Sequence, residues 1–171
     1  KGERIAVLSE NSIEYLLLYF AVPRAGLILS ALNYRLTVSE LCRVIEICGA
    51  RALVAGKGYE DIAREVLPLV PSLDDLILAD ADSGTPGNLV LGNLHEAGSL
   101  PQDRLAPDRD DLVWIIYTSG TTGVPKGVQH SHASLLASIL NAAIAFDFSN
   151  EERAELIYRL LTFYNPHIHG Q

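Results

Sequence analysis

The chain has 171 residues, with 13 Lys and Arg against 21 Asp and Glu, and its formal net charge is −8. This acidic balance argues against a nucleic-acid backbone or an anionic membrane surface as the main partner. With 49% hydrophobic and 20% charged residues, the composition is that of a globular chain and excludes wholesale disorder. No apolar run is long enough to span a membrane. Only Cys42 and Cys48 occur, which excludes a disulfide scaffold and favours a reducing compartment such as the cytoplasm.

The first part of the chain begins with a strand and a helix. Arg4–Ser9 predicts a short buried strand. Asn11 and Glu14 have the spacing of a capping box, which predicts that the helix starts there. Pro23 should kink or end this helix, because its ring removes a backbone donor and clashes with the preceding turn. The apolar stripe that predicts the helix consists of Ile13, Leu16, Leu17 and Phe20, with further apolar residues at Tyr15, Leu18 and Tyr19.

The alternation of strands and helices continues beyond this helix. Thr37 and Glu40 form a second capping-box pattern. The stripe of this second helix consists of Leu41, Val44, Ile45 and Cys48. A third helix is predicted from the spacing of Ile62, Val66 and Leu69. Short apolar runs predict strands at Leu27–Leu32, Ala52–Ala55 and Leu76–Leu78.

The character of the sequence changes over residues 80–110, where turn residues and charges predict an exposed excursion with little core. Leu112–Thr118 predicts another buried strand, and a Gly-rich loop separates it from a short strand around Val128 and a helix from about His132. Strands that alternate with helices indicate an α/β fold, with a largely parallel sheet and helices on both of its faces. Ligands of such sheets bind outside the carboxyl ends of the strands, and the Gly-rich loop lies there.

This loop carries the strongest chemical signal in the chain. Residues 117–128 read YTSGTTGVPKGV. Glycines permit unusual dihedral angles and close approach of a ligand, and successive backbone N–H groups can form a nest for an anion. Lys126 adds a compact positive charge, and Pro125 stiffens the loop before it. Hydroxyl donors are supplied by Thr118, Ser119, Thr121 and Thr122. A flexible surface turn is the alternative, and this density of glycines, hydroxyls and one lysine makes it the weaker one.

Two other nucleotide-binding motifs fail on spacing. The P-loop pattern G-x-x-x-x-G-K-[ST] would need a glycine at Pro125 and a serine or threonine at Gly127. The dinucleotide fingerprint G-x-G-x-x-G would need a glycine at Thr122.

The twelve residues Tyr117–Val128 resemble the phosphate-loop signature of the AMP-forming acyl-CoA synthetases, the luciferases and the adenylation domains of peptide synthetases. Residues 4–12, 31–36 and 131–136 resemble other parts of the same family. The sequence NYRL at Asn33–Leu36 favours the acyl-CoA ligases among these groups. By this resemblance, the fold is the N-terminal portion of an adenylate-forming large domain.

The resemblance also implies an activity. A carboxylate attacks the α-phosphorus of ATP to give an acyl-adenylate and pyrophosphate, and the thiol of coenzyme A then displaces AMP. The implied cofactors are ATP, Mg²⁺ and coenzyme A, the implied partner is a small-molecule carboxylate, and the expected setting is fatty acid metabolism. By resemblance, the ATP phosphates are bound by Thr118, Ser119, Gly120, Thr121, Thr122, Gly123 and Lys126. No residue is assigned as catalytic.

The histidines and one acidic run are further candidates. Residues 166–170 read PHIHG and resemble the acyl-pocket segment of the family, with His167 and Gly170 in the matching places. Zinc is the alternative for the two His-x-His pairs, but no cysteine or carboxylate spacing supports it, and no metal ligand is assigned. The four histidines of these pairs are His130, His132, His167 and His169. The acidic run at residues 108–111 fits a solvated linker better than an acid–base pair.

The resemblance implies that residues 1–171 are the N-terminal part of an AMP-binding domain, truncated after Gln171. The piece itself is then expected not to form acyl-adenylates, because the groups that hold adenine, ribose and Mg²⁺ would lie beyond it. A stand-alone nucleotide-binding or interaction module and a catalytically dead relative are the alternatives to a carboxylate–CoA ligase.

Overall fold

The computed structural model describes residues 1–79, 89–90, 108–118 and 125–146. The strands are β1 (Arg4–Leu8), β2 (Ile28–Ala31), β3 (Ala50–Ala55), β4 (Asp75–Leu78), β5 (Leu89–Val90), β6 (Leu112–Thr118) and β7 (Lys126–Ser131). The helices are α1 (Ile13–Arg24), α2 (Val38–Cys48), α3 (Glu60–Val66) and α4 (His132–Phe146), with a 3₁₀ turn at Leu67–Leu69.

These seven strands form one sheet in the order β5-β4-β3-β1-β2-β6-β7. Strands β1 to β6 pair in parallel, and β7 runs antiparallel to β6. The predicted α/β fold with a largely parallel sheet is therefore confirmed. None of the helices within the described ranges is long and apolar enough to cross a membrane.

Helices cover both faces of the sheet, as predicted. On one face, α2 and α3 pack on the central strands around fully buried side chains such as Leu41, Ile45 and Leu53. On the other face, α1 packs on Val7, Leu29 and Trp114. Each face of the parallel strands thus contacts apolar side chains, which is the burial that parallel sheets require.

Helix α2 follows its sequence pattern closely. Thr37 is the N-cap, and its hydroxyl oxygen accepts the backbone N–H of Glu40 while the Glu40 carboxylate accepts the backbone N–H of Thr37 at 2.9 Å. The predicted capping box is therefore confirmed. All four predicted stripe residues of α2 are buried: Leu41, Val44, Ile45 and Cys48.

Helix α1 differs from its prediction in two respects. Its N-cap is Ser12 instead of Asn11, and the Ser12 hydroxyl accepts the backbone N–H of Tyr15 at 3.1 Å. Most of the predicted stripe faces solvent and not the sheet, since Ile13, Leu17 and Phe20 are 73%, 58% and 60% exposed. The buried residues of this helix are Tyr15, Leu18, Tyr19, Val22 and Pro23. They include a second set spaced i, i+3, i+4 and i+7, so the apolar pattern fits both sides of the helix.

Pro23 lies in the last turn of α1 and the helix ends one residue later, at Arg24. Proline has no N–H to donate to the carbonyl four residues earlier, which is that of Tyr19. The indole N–H of Trp114 on β6 donates to this carbonyl at 3.2 Å. The Trp114 ring also packs edge-on against the Tyr19 ring, with 4.8 Å between the ring centroids. A donor from the sheet thus replaces the one that Pro23 removes.

Other helix predictions are met in part. Helix α3 ends at Val66, and Leu69 of the following 3₁₀ turn is 55% exposed. The sequence predicts an apolar stripe for α4 at Leu135, Leu136, Ile139, Leu140 and Ala143. Leu135 packs against the apolar cluster between α1 and the sheet, whereas Leu136 and Leu140 are 55% and 53% exposed. Of the predicted excursion at residues 80–110, the structure describes only β5, which pairs with β4, and residues 108–110.

Candidate functional site

The Gly-rich loop connects β6 and β7. Strand β6 ends at Thr118 and β7 begins at Lys126, and these two residues are paired across the strands. Because β7 runs antiparallel to β6, its first residue lies at the same edge of the sheet as the last residue of β6. This edge is the carboxyl edge of the parallel strands. The predicted strands on either side of the loop are therefore confirmed.

Two of the predicted phosphate-binding residues, Thr118 and Lys126, belong to the described part of the chain. Both side chains are exposed at the carboxyl edge. The remaining predicted site residues, including those of the acyl pocket, lie outside the described residues: Ser119, Gly120, Thr121, Thr122, Gly123, His167 and Gly170.

Thr118 and Lys126 hold the two ends of the loop together. The Thr118 hydroxyl donates to the carbonyl oxygen of Lys126 at 3.5 Å, which is a long hydrogen bond. The ion pairs found within the described ranges join Lys1 to Asp111 and Arg51 to Asp74. Lys126 belongs to neither pair, so its ammonium group has no carboxylate partner among the described residues. An exposed lysine of this kind is available to an anionic ligand.

Gly127 follows Lys126 and has a role that the sequence did not reveal. Its φ is not among the positive values found at other glycines, so the backbone conformation there does not require glycine. Close packing requires glycine there instead, because a Cβ at Gly127 would lie 2.8 Å from Cγ2 of Ile115 and 3.3 Å from Cε1 of Tyr117. Gly127 is paired with Tyr117 across the strands. Burial raises the pKa of Tyr117 well above its usual value, so the phenol is neutral at physiological pH.

The His-x-His pair at residues 130–132 is divided between two elements. His130 lies on β7, whereas His132 is the first residue of α4. The two imidazoles of this pair therefore do not lie on one strand. Burial lowers the pKa of His130, which favours its neutral form. Within the described ranges, no group of three or more His, Cys, Asp or Glu side chains could hold a metal ion.

The acidic run before β6 stabilises a turn. The backbone N–H of Asp108 donates to the Asp111 carboxylate at 2.8 Å, and that of Asp110 donates to the Asp108 carboxylate at 3.2 Å. The Lys1 ammonium lies 2.7 Å from the Asp111 carboxylate, and this ion pair lowers the pKa of Asp111. These groups lie at the amino end of β6, opposite the loop. A cavity of about 240 Å³ at that edge is lined in part by Lys1, Asp111 and His132. Residues 108–110 are exposed, which fits the prediction of a solvated linker.

Comparison with known proteins gives the class of protein. Residues 1–166 match the family model described as AMP-binding enzyme. The chain therefore belongs to the AMP-binding enzyme family, and the resemblance found in the loop is confirmed.

Individual relatives agree with this assignment. The long-chain-fatty-acid–CoA ligase FadD13 of Mycobacterium tuberculosis is 29% identical, over 90% of this chain and 29% of the relative. The 4-hydroxybenzoate–CoA/benzoate–CoA ligase of Rhodopseudomonas palustris is 30% identical, over 87% of this chain and 27% of the relative. The crystal structure of apo MatB from Rhodopseudomonas palustris superposes with a TM-score of 0.68 and 28% identity, covering 86% of this chain and 28% of that one. The chain thus spans less than a third of the length of these relatives.

Proposed function

We propose that the whole protein is a carboxylate–CoA ligase that forms AMP. It first activates a carboxylic acid with ATP to give an acyl-adenylate and pyrophosphate, and then transfers the acyl group to the thiol of coenzyme A. The match of residues 1–166 to the AMP-binding enzymes carries this proposal. It is supported by relatives of at least 29% identity that are named as CoA ligases of fatty and aromatic acids.

In this proposal, the loop between β6 and β7 binds the β- and γ-phosphates of ATP. Negative charge grows on pyrophosphate as it leaves, and oriented donors with one fixed cation stabilise that charge most where it develops. Lys126 and the Thr118 hydroxyl lie at the two ends of the loop on the carboxyl edge. The other proposed phosphate ligands are Ser119, Gly120, Thr121, Thr122 and Gly123. The loop would bind and orient the phosphates and would transfer no proton.

Mg²⁺ is implied by the resemblance alone, and within the described ranges no group of three or more His, Cys, Asp or Glu side chains could hold a metal ion. The substrate is proposed to be a fatty or aromatic carboxylic acid, with His167 and Gly170 at its pocket. The cytoplasm is the proposed location, in keeping with the free thiols of Cys42 and Cys48.

The test is ATP–pyrophosphate exchange by the full-length protein, measured with a panel of acids that includes long-chain, medium-chain and benzoic acids. Loss of one donor to a developing charge costs on the order of 10²- to 10³-fold in rate. We therefore expect Lys126→Ala to lower the exchange rate by up to about 10³-fold. The matched control is Lys57→Ala. This variant removes another exposed lysine, which follows β3 at the same edge of the sheet and lies three strands away from β6.

The outcomes separate the alternatives. Exchange with one class of acid that is lowered in Lys126→Ala and kept in Lys57→Ala supports the adenylation step and the role of the loop in it. Unchanged exchange and ATP affinity in Lys126→Ala would remove the loop from the mechanism. ATP binding without exchange on any acid would point to a catalytically dead relative or a binding module.

A further inference from the structure

The contact between β6 and β7 next to the loop is too close for any side chain at Gly127. A Cβ there would lie 2.8 Å from Cγ2 of Ile115, a separation that real Cβ atoms essentially never show. It would also lie 3.3 Å from Cε1 and 3.5 Å from Cζ of Tyr117. The space that a residue at 127 would use is thus filled from the opposite strand, by the Tyr117 ring and one methyl group of Ile115.

Neither neighbour can move away at little cost. Cγ2 of Ile115 is bonded directly to Cβ, so it moves only if χ1 or the backbone moves, and β-branched side chains are restricted at χ1. Ile115 is also only 5% exposed, which leaves little free volume around it. The Tyr117 ring packs against the apolar cluster under α2 and α3. A side chain at 127 would therefore displace β7 more readily than either neighbour on β6.

A displacement of β7 at this point reaches the loop directly. Gly127 pairs with Tyr117, and the next pair toward the loop is Lys126 with Thr118. We infer that Gly127, packed under Ile115 and Tyr117, is a positioning residue that sets the place of the Lys126 ammonium and the Thr118 hydroxyl at the carboxyl edge. This inference rests on the proposed function, in which these two groups meet the phosphates of ATP. Phosphate ligands must be held closely, since misplacement by about 1 Å costs on the order of 10²-fold in rate.

The experiment adds a Cβ at residue 127 on β7 and then makes room for it by shortening Ile115 on β6. In the full-length protein, Gly127→Ala is expected to lower kcat/KM for ATP in ATP–pyrophosphate exchange on the order of 10- to 100-fold. In the double variant with Ile115→Ala, the blocking methyl group is gone and most of the lost activity should return. In the double variant with Ile115→Val, a methyl group remains at the Cγ2 position and activity should stay low. The single variants at Ile115 give the baselines.

Urea midpoints separate positioning from general damage. Truncation of the buried Ile115 side chain should make the double variant with Ile115→Ala less stable than Gly127→Ala alone, so activity should rise while stability falls. Two results with an active wild-type protein would overturn this inference and leave the proposed function standing. One is full activity in Gly127→Ala, and the other is no recovery of activity in the double variant of Gly127→Ala with Ile115→Ala. A wild-type protein without exchange on any acid would overturn the proposed function and this inference together.

Discussion

Removing the indole N–H of Trp114 tests how the protein compensates for the proline in α1. In the structure, the Tyr19 carbonyl accepts from Trp114 at 3.2 Å, because Pro23 has no N–H for it. Trp114→Phe keeps an aromatic ring beside Tyr19 but leaves this carbonyl without its donor. Trp114 is only 9% exposed, so water does not easily take the place of the indole.

The magnitude has two parts. A buried acceptor left without a partner costs about 1–3 kcal/mol. The smaller ring buries roughly 40 Å² less apolar surface, which at about 25 cal/mol per Å² adds about 1 kcal/mol. Trp114→Phe should therefore lower the free energy of unfolding by about 2–4 kcal/mol. In a Pro23→Ala background, the restored N–H of residue 23 can donate to the Tyr19 carbonyl, and only the packing part of about 1 kcal/mol should remain.

The assay is a double-mutant cycle by urea unfolding. Far-UV circular dichroism is the probe, since Trp114 is the only tryptophan and its fluorescence disappears with the substitution. The expected coupling energy between Trp114→Phe and Pro23→Ala is about 1–3 kcal/mol. Thr37→Ala, at the start of α2, replaces Pro23→Ala in the control cycle and should be additive within about 0.5 kcal/mol. Equal costs of Trp114→Phe in both backgrounds would refute the shared-acceptor explanation.

Three further predictions concern stability. Thr37→Ala should lower the free energy of unfolding by about 1 kcal/mol through loss of the capping box, and Thr37→Ser should restore it, as measured by urea unfolding. Because burial lowers the pKa of His130, the unfolded chain takes up its proton at higher pH than the folded one, and stability should fall as pH drops through about 6.5. His130→Gln should flatten this decline in unfolding experiments between pH 8 and 5, and an unchanged slope would contradict it. Leu41→Ala in the core should cost about 2–5 kcal/mol. The exposed Leu140→Ala should change stability by no more than about 0.5 kcal/mol, and equal midpoint shifts would show that the two leucines are not buried differently.

The two long helices of the first half show when a sequence pattern is sufficient. Helix α2 has one apolar stripe and one polar side, and its capping box and its buried residues were both predicted correctly. Helix α1 is apolar on two sides, so the same spacing rule fits Ile13–Phe20 and Tyr15–Val22 equally. Which side is buried depends on the partner, and the aromatic contact of Tyr19 with Trp114, ninety-five residues away along the chain, lies outside any local pattern.

The antiparallel direction of β7 could have been predicted from the sequence, although the apolar pattern of the strands did not indicate it. The segment between β6 and β7 runs from Ser119 to Pro125, which is seven residues. A parallel crossover needs a dozen or more residues, so the short connection already implies that the second strand is antiparallel. The reason for Gly127 was not predictable in this way. Glycine is compatible with a positive φ and with close packing alike, and only the distances to Ile115 and Tyr117 distinguish the two.

The rule that ligands of α/β sheets bind at carboxyl ends locates the edge of the sheet but not the place along it. The strand order changes direction at β1, with β2 on one side and β3 on the other, so the carboxyl ends of β1 and β3 form the switch point where the rule would put a ligand. Groups of the protein itself lie close together at this point. The Ser9 side chain is so near Gly56 that a Cβ there would lie 2.1 Å from the Ser9 hydroxyl oxygen, and the Tyr59 hydroxyl donates to the Glu10 carboxylate at 3.1 Å. Burial, and then this contact with Glu10, raises the pKa of Tyr59 to about 12, so the phenol keeps its proton there. The loop that we propose to bind phosphate instead follows β6, two strands away from β1, where β7 turns back and brings Lys126 to the same edge. The proposal of a site at this loop therefore depends on the composition of the loop, with its glycines, hydroxyls and single lysine, and not on the topology of the sheet.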